Sequence, residues 1–312
     1  MPTKRSSWRW GLGASFGIGA MMAVVGFWFE PRSLVVSEFE VITSGWPQDT
    51  APLRVAVLSD IHVDAVHMPP ERVRRIAEQV RALRPDVILL AGDYVGGYGL
   101  EAGLPGAARS RRSTQDNDLH EDGLRALDDL NAPLGVYAVM GNHDCWWDCR
   151  RVREILADTR IHVLENQAAR VVRPGGNVWI AGIEDGQTQR PDFQTATKTV
   201  PQGAASIALV HNPELFDWES NGLPLQISGH SHAGQVRFPL IGAPVRVTRH
   251  TEDTVDGWTS AGERLLIVTR GLGESGLPVR FGAPPQIMLL TIKPGRHSMV
   301  KPVATYAPET RR

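Results

Sequence analysis

The chain has 312 residues, of which 42% are hydrophobic and 21% are charged, so it can bury a sizeable core and is not globally disordered. Its 33 basic and 34 acidic side chains leave a net charge of −1. This balance creates no field that attracts nucleic acid, and the sequence has no basic stripe with interleaved aromatic residues. No nucleic-acid partner is predicted.

The first 30 residues have the pattern of a membrane anchor. Residues 10–29 form a stretch without charged side chains, and its length is close to the ~20 residues that a helix needs to cross a bilayer. Trp10 and Trp28 lie near its two ends. Three basic residues precede this stretch and only Arg32 closely follows it, so the positive-inside rule places the N-terminus in the cytoplasm and the rest outside. We predict an uncleaved transmembrane helix, with a cleaved signal peptide or a buried core helix as alternatives.

Apolar runs and amphipathic stretches predict alternating strands and helices after a connector at residues 31–50. Strands are predicted at 33–42, 53–58, 86–91, 135–140, 169–173, 178–183, 206–210, 225–228, 235–238, 265–269 and 287–292. Helices are predicted at 70–84, 122–130 and 148–157. The first helix is the clearest, because apolar residues recur every three or four positions between Val73 and Leu83 and Pro85 ends it.

Residues 96–122 interrupt this pattern with Gly, Ser and Arg followed by acidic residues, and we predict a flexible surface insertion there. The strand, helix, strand order favours parallel pairing through right-handed crossovers, and two sheets between helix layers would accommodate the strand-rich second half. The predicted fold class is α/β, a four-layer α-β-β-α sandwich behind the anchor in residues 1–30. The main domain is predicted at 51–295, followed by a C-terminal tail at 296–312.

The two cysteines, Cys145 and Cys149, are four residues apart. That spacing is not a zinc-ribbon pattern, and two thiols make no disulfide framework. If a helix starts early enough to include both, they share one face, where a disulfide fits poorly. We interpret them as packing thiols beside a loop, with a regulatory disulfide or a metal role as alternatives.

Five short segments at the ends of predicted strands carry metal-ligand side chains, and they contain five of the ten histidines. They are Asp60-Ile-His62, Gly92-Asp93, Gly141-Asn142-His143-Asp144, His211-Asn212 and Gly229-His230-Ser231-His232. Buried polar groups need partners, and the carboxyl ends of strands in α/β sheets are where ligands bind. Each segment alone is a weak signal, but together they indicate a metal site.

The ligand types indicate which metals and which chemistry to expect. Carboxylate, imidazole and amide ligands suit Mn, Fe or Zn. Two such divalent metal ions clamp the attacking and leaving oxygens of a phosphoryl displacement when they lie ~3.5–4 Å apart. One carboxylate must then bridge the pair, and a hydroxide held between the ions attacks phosphorus directly.

This ordered set of motifs resembles the calcineurin-like metallophosphoesterase superfamily over roughly residues 52–292. Residues 228–238 (SGHSHAGQVRF) and 270–285 (RGLGESGLPVRFGAPP) are more similar to a branch of membrane-associated bacterial phosphodiesterase-like proteins, which includes relatives of the UDP-2,3-diacylglucosamine hydrolases. The resemblance implies the fold of that superfamily and a metal-dependent phosphoric ester hydrolase.

The resemblance also implies a role for each matching residue. One metal would be bound by Asp60, His62, Asp93 and His232. The second would be bound by Asp93, Asn142, His211 and His230, with Asp93 as the bridge. His143 would be the catalytic residue beside the leaving group, as a general acid or a charge stabiliser.

Three features near these motifs leave alternatives open. Many family members have Gly-Asp-x-x-Asp or Gly-Asp-x-x-Asn in the second motif, but here the segment ends in Gly96. Either another carboxylate such as Asp144 or Asp64 is expected to orient His143, or the tautomer of His143 is less tightly set. Arg270 and Arg280 are candidates for gripping phosphate, and surface positions are the alternative. Trp146 and Trp147 are expected either to line an apolar pocket or to pack in the core.

The expected function is phosphodiester hydrolysis on a membrane- or envelope-associated substrate, which can be lipid-linked or joined through a pyrophosphate. The expected location is the bacterial inner (cytoplasmic) membrane, with a single span and an extracytoplasmic catalytic domain. A phosphomonoesterase, a non-catalytic scaffold or binding module of the same fold, and a binuclear hydrolase of another ester are the alternatives.

Overall fold

The architecture consists of two sheets with helices on their outer faces. The structure, a computed structural model, describes residues 17–96, 114–218, 222–245, 248 and 255–308, with the backbone alone for 114–116. The strands of this part are β1 Val35–Thr43, β2 Leu53–Leu58, β3 Val87–Ala91, β4 Val136–Val139, β5 Ile161–Val163, β6 Gln167–Val171, β7 Val178–Ile183, β8 Ser206–Val210, β9 Leu225–Ser228, β10 Gly257–Ala261, β11 Arg264–Val268, β12 Gln286–Pro294 and β13 Met299–Tyr306. After the N-terminal segment, the α-helices of the described residues are α1 Pro70–Ala82, α2 Thr114–Ala126, α3 Asn142–Ala157 and α4 Phe193–Thr197.

The strand order places the ends of the central strands next to one another. The first sheet has the order β13-β1-β12-β2-β3-β4-β5, and β2, β3, β4 and β5 run parallel. The second sheet has the order β10-β11-β9-β8-β7-β6, and β11, β9, β8 and β7 run parallel. Each sheet therefore presents a row of carboxyl ends at one edge, which is where α/β proteins bind ligands.

Alternation along β3 shows how the layers form. Ile88 and Leu90 face a core shared with α1, α2 and α3, whereas Val87 and Leu89 face the core between the two sheets. A strand that is buried on both faces has a continuous apolar sequence, as β3 has in VILLA. A third, smaller core lies between the second sheet and α4. The predicted α/β fold with two sheets between helix layers is confirmed.

Helix α1 forms the crossover between β2 and β3, as predicted. Pro70 lies in its first turn, where a missing N–H is tolerated. After the helix ends, Arg84 has a positive φ of 50° just before Pro85. Its buried face contains Val73, Ile76 and Val80. Burying each of these side chains contributes roughly 1.5–3 kcal/mol.

The structure corrects several predicted elements. Helix α2 already begins at Thr114, inside the segment predicted as an insertion, and residues 97–113 of that insertion lie outside the described residues. The predicted strand at 235–238 is wrong, because this segment makes only isolated bridges, such as Val236 with Phe281. Strands β5, β10 and β13 were absent from the predicted set.

The two ends of the chain meet in the first sheet. Strand β1, in the predicted connector, pairs in parallel with β12 and antiparallel with β13. Strand β13 lies in the segment predicted as a peripheral tail, so both flanking segments contribute strands to the sheet. The predicted domain boundaries stay a prediction.

The N-terminal segment is helical over residues 17–24, forms a π-helical turn at Val25–Phe29 and ends in a 3₁₀ turn at Glu30–Arg32. Residues 10–16 of the predicted span lie outside the described residues. Within the described ranges, no helix has both the length and the apolar character needed to cross a bilayer.

Candidate metal centre

The predicted ligands come together at the carboxyl ends of neighbouring strands. Asp60 follows β2 by two residues, Asp93 follows β3 by two, and Asn142 begins α3 directly after the turn that follows β4. From the second sheet, His211 directly follows β8, and His230 follows β9 by two residues. Because the neighbouring strands are parallel, their ends deliver these side chains to one place.

Five of the predicted ligands have left-handed backbone conformations. The φ angles are 49° at Asp60, 46° at His62, 58° at Asp93, 72° at His230 and 51° at His232. A non-glycine residue in this region costs about 1–3 kcal/mol, so it persists only where the surroundings enforce it. Such strain turns each side chain out of the strand direction and towards the shared centre.

The glycines of the motifs allow close approach between the two sheets. A Cβ on Gly141 would collide with the carboxylate of Asp93, and one on Gly229 would lie 2.5 Å from Oδ2 of Asp60. Neither place has room for any side chain. The Gly-Asn-His-Asp and Gly-His-x-His motifs therefore need glycine for steric reasons.

The first group of ligands is formed by Asp60, His62 and His232, all fully or almost fully buried. The Nε2 atoms of the two imidazoles lie 3.0 Å apart, and Nε2 of His232 is 3.4 Å from Oδ1 of Asp60. Their Nδ1 atoms face backbone carbonyls, at 3.2 Å from Val95 and 3.3 Å from Gly273. Each Nδ1 therefore carries the proton, and each Nε2 presents a lone pair.

The second group is formed by Asp93, His211 and His230 together with Asn142. Nδ1 of His211 donates to the carbonyl of Ala91 at 2.7 Å, so its Nε2 is the nitrogen that faces the other members of the group. That Nε2 lies 3.1 Å from Oδ1 of Asn142, 3.2 Å from Nδ1 of His230 and 3.3 Å from Oδ2 of Asp93.

Asp93 lies between the two groups. Its Oδ2 is 3.3 Å from Nε2 of His211 and 3.6 Å from Nε2 of His62, while its Oδ1 accepts the backbone N–H of His143 at 2.8 Å. One carboxylate oxygen thus faces ligands of both groups. This is the arrangement expected of a residue that bridges two cations.

The donor atoms fit a divalent metal. Lone pairs that converge at about 3 Å repel one another, and a cation among them turns this repulsion into attraction. Carbonyl groups that hold the distal ring nitrogens, as at His62, His211 and His232, are the usual support for metal-binding histidines. The mixed carboxylate, imidazole and amide set suits Mn, Fe or Zn.

The electrostatics of the centre are dominated by burial. Burial lowers the pKa of His62 and of His230 to about 3, so both rings are neutral at pH 7, as ligands must be. Burial also raises the pKa of Asp60 to about 7. At His211 burial again lowers the pKa, but the Asp93 carboxylate outweighs it and raises the pKa to about 10.

Asp144 has a different contact from the predicted one. Its carboxylate accepts backbone N–H groups from Asp93 at 2.9 Å, Tyr94 at 2.7 Å, Val95 at 3.3 Å and Gly141 at 2.8 Å. It therefore fastens together the two loops that carry Asp93 and Asn142, and it does not orient His143. The other suggested carboxylate, Asp64, accepts the N–H groups of residues 66–68.

His143 instead has Ser275 beside its Nε2, with the serine Oγ at 3.3 Å. Its ring stands edge-on to His62 at 4.5 Å between centroids and lies 4.6 Å from the ring of Trp146. Burial lowers the pKa of His143, and the Asp93 carboxylate opposes this shift. Ser275 was missed from the sequence because it follows β11 within a segment in which only the arginines were considered.

The centre opens into a cavity of about 500 Å³. Its walls include Asp93, Asn142, His143, His230 and His232. The remaining walls are largely apolar, with Trp146, Val236, Pro244, Val245, Leu277 and Val279.

Gln187 is a second residue that the sequence reasoning missed. Its carboxamide lies 3.0 Å from Nε2 of His230, and it lines the cavity. It is held by Asp185, which is fully buried and accepts the Gln187 backbone N–H at 2.9 Å. Both residues follow β7, so the rule that located the other ligands at strand ends points to this loop as well.

Three further predictions near the centre are resolved. Trp146 lines the cavity, whereas Trp147 is buried and donates to Asn117 at 3.1 Å. Arg280 does not grip phosphate, because its side chain is fully buried and bonded to backbone carbonyls. Arg270 is ion-paired with Asp256 at 2.6 Å.

The first interpretation of Cys145 and Cys149, as packing thiols, is wrong, because the two residues form a disulfide, which was one of the alternatives. Both lie in α3, whose backbone leaves the helical conformation at Asp148, with φ −171° and ψ 95°. The prediction assumed a regular helix, and this interruption removes that assumption.

The profile of the family described as calcineurin-like phosphoesterase matches residues 53–234, which is more than half of the chain. The chain belongs to this family, as the motifs predicted. It is therefore a metal-dependent phosphoester hydrolase with a mixed α/β fold of two sheets.

Two curated relatives match over nearly their whole length. The chain is 26% identical to the uncharacterized metallophosphoesterase YkuE of Bacillus subtilis (strain 168), covering 91% of this chain and 95% of the relative. It is 28% identical to the phosphodiesterase YaeI of Escherichia coli (strain K12), covering 90% and 94%. The crystal structure of a 5'-nucleotidase precursor from Thermus thermophilus matches with a TM-score of 0.42 and 15% identity over 77% of this chain and 55% of that chain.

Proposed function

We propose that the chain is a phosphodiesterase with two divalent metal ions, Mn, Fe or Zn, acting on a substrate with an apolar group beside its phosphate. Asp60, His62, Asp93 and His232 would hold one ion. Asn142, His211 and His230 would hold the other together with Asp93. Burial of this many polar groups at one edge of two sheets needs such a partner.

One observation carries this proposal. The Nε2 atoms of His62, His211 and His232 all face one another or Oδ atoms of Asp60, Asp93 and Asn142, at 3.0–3.6 Å. Metal ions supply Lewis-acid activation of water and of phosphate oxygens when they are bound in such a set.

The residues of the chain then have distinct tasks. Asp93 supplies one carboxylate to both ligand groups and also fixes the start of α3 through the N–H of His143. His143 faces the cavity and donates a proton or a hydrogen bond to the departing oxygen. Water attacks phosphorus in line with that oxygen, without a covalent enzyme intermediate.

The shape of the cavity supports a diester with an apolar part. Trp146 contacts the ring of His143, so a leaving group beside His143 lies against indole. Valine, leucine and proline side chains continue this wall. The similarity to a protein named as a phosphodiesterase supports the diester over the monoester.

The N-terminal segment supports a substrate at a membrane. It is fastened beside the cavity, because the carbonyl of Gly26 accepts the N–H of Arg280 at 3.0 Å and Gly26 packs near Val279 of the cavity wall. It exposes Ile18, Met21, Val24, Phe27, Trp28 and Phe29. We propose a single membrane span that includes this segment, in a bacterial inner membrane, and a membrane- or envelope-associated substrate, either lipid-linked or joined through a pyrophosphate.

The disulfide supports an extracytoplasmic domain, because disulfides persist in oxidising compartments. A reporter enzyme that works only outside the cytoplasm, fused after Arg312, should be active. If the reporter fused after Arg312 is instead active only when it works in the cytoplasm, the catalytic domain lies on the cytoplasmic side and this topology is wrong.

The reaction is tested with purified chain and manganese on bis-p-nitrophenyl phosphate, p-nitrophenyl phosphate and p-nitrophenyl acetate. The diester should be hydrolysed fastest, and Asp93→Asn should abolish this activity while the exposed Asp158→Asn retains it. Faster turnover of the monoester would make the chain a phosphomonoesterase. Turnover of the acetate alone would indicate a hydrolase of another ester, and no turnover of any substrate would favour a binding module.

The apolar wall is tested separately with Trp146→Ala. KM for a diester with a long alkyl leaving group should rise about tenfold or more, because burying an aromatic side chain against an alkyl chain contributes ~1.5–3 kcal/mol. KM for methyl p-nitrophenyl phosphate should change less. Equal changes for both substrates would exclude a role of this wall in selectivity.

A further inference from the structure

The loop between β11 and β12 is closed by one buried side chain, that of Arg280. This guanidinium is fully buried. Its Nη1 donates to the carbonyl of Ala283 at 2.8 Å, and its Nη2 donates to the carbonyls of Arg270 at 3.0 Å and Gly273 at 2.5 Å. Three carbonyls from different parts of the loop thus share one cation.

The carbonyl of Gly273 connects this loop to the metal centre. The same oxygen that accepts from Arg280 also lies 3.3 Å from Nδ1 of His232. The N–H of Gly273 donates to the carbonyl of Asp60 at 2.7 Å. Two residues further on, Ser275 lies beside His143. One short loop therefore contacts both a ligand pair and the catalytic histidine.

The charge of Arg280 is matched by Glu274. Nε of Arg280 lies 3.5 Å from Oε1 of Glu274, and the two side chains are only 0% and 3% exposed. Oε2 of Glu274 lies 3.2 Å from Nδ1 of His67, whose Nε2 is 3.1 Å from the carbonyl of Phe27. The same buried cluster therefore fastens the N-terminal segment to the loop.

We propose that Arg280 is a positioning residue of the metal site, which acts by holding the Gly273 carbonyl that orients His232. This inference rests on the metal site of the proposed function. With the carbonyl fixed, Nδ1 of His232 keeps its proton and Nε2 stays directed at His62 and Asp60. A planar guanidinium with five donors can bind three carbonyls at once, whereas the ammonium of a lysine is a compact point charge that cannot span them.

The test is manganese binding by titration calorimetry to the metal-free full chain. Wild type is compared with Arg280→Lys and Arg280→Met. Arg270→Met is the matched control, because Arg270 lies in the same loop but its partly exposed side chain pairs with Asp256. His232→Ala reports the loss of the ligand itself.

We expect Arg280→Met to weaken manganese binding about 10–100-fold, which is the usual effect of removing a group that orients a ligand. The manganese affinity of Arg280→Lys should lie between those of Arg280→Met and wild type, and Arg270→Met should bind manganese as tightly as wild type does.

A double variant separates positioning from folding. Arg280→Met leaves Glu274 buried without its cation, which lowers stability whatever the role of the arginine. Adding Glu274→Gln removes that charge and keeps a group beside His67. The variant R280M/E274Q should therefore recover melting temperature but retain the weakened manganese binding.

The possible outcomes distinguish the two proposals. If wild type binds manganese and the His232→Ala variant binds it with the same affinity, the proposed metal site is wrong. If His232→Ala weakens binding but Arg280→Lys and R280M/E274Q bind as wild type does, the site stands and the positioning role is refuted. Recovery of melting temperature and manganese affinity together in R280M/E274Q would likewise reduce Arg280 to a structural residue.

Discussion

The side chain that most directly joins the two ligand-bearing loops is Asp144, and replacing it with asparagine gives a quantitative test. Its two oxygens accept four backbone N–H groups, two at each oxygen. An asparagine side chain in its place would keep one oxygen and would turn an amide N–H₂ towards the other two donors. Two hydrogen bonds to a charged acceptor are lost, whichever way the amide points.

The expected magnitude follows from these two bonds. Each hydrogen bond to a charged group contributes about 1.5–3 kcal/mol, so Asp144→Asn should lower the free energy of unfolding by about 3–6 kcal/mol. At roughly 2 °C per kcal/mol for a chain of this size, the melting temperature should fall by roughly 6–12 °C.

The assay is thermal unfolding with a chelator present, so that a change in metal binding does not contribute. It is run at pH 8, because burial and the neighbouring Asp93 raise the pKa of Asp144 to about 7 and the side chain must be ionised. Asp158→Asn, an exposed change just after the same helix, is the control. A melting temperature for Asp144→Asn within about 2 °C of that control would refute the reasoning.

Three further predictions concern the proposed role of His143, the close approach of the loops and the pH dependence. His143→Gln should lower kcat about 10²–10⁴-fold with the metal content unchanged, and a loss of metal would instead make His143 a ligand. Gly141→Ala should abolish manganese binding, because its Cβ meets the Asp93 carboxylate, whereas Gly222→Ala should have no effect. Manganese affinity should rise up to about tenfold per pH unit from pH 7 to 8.5, because binding displaces a proton from His211, whose pKa is about 10, and an affinity independent of pH would contradict this.

The sequence was sufficient to predict that the proposed ligands lie together at the carboxyl edge of the sheets, because each of them follows a strand. Strands β2, β3 and β4 are predictable as buried apolar runs, and parallel neighbours necessarily align their carboxyl ends. In a regular strand, the spacings of Asp60-x-His62 and His230-x-His232 would place both side chains of each pair on the same face. In fact these residues lie beyond the strand ends with positive φ, a conformation that residue spacing does not predict.

Contacts between segments that are distant along the chain could not be predicted from the sequence. Strand β1 pairs with a strand near the other end of the chain, as Val35 does with Gln286, and no local pattern predicts such a partner. The same holds for Arg280, which looks like a surface residue in a Gly- and Pro-rich segment until the fold places carbonyls around it. The roles of Asp144 and Ser275 likewise depend on which backbone comes near them.

The central claim is that seven side chains from position 60 to position 232 hold two cations. Anomalous diffraction at the manganese edge, from crystals of the full chain grown with Mn²⁺, tests it most directly. Two peaks ~3.5–4 Å apart are expected, with Asp93 contacting both, Asp60 and His62 only one, and His211 only the other. A single peak, or peaks away from these side chains, would contradict the account.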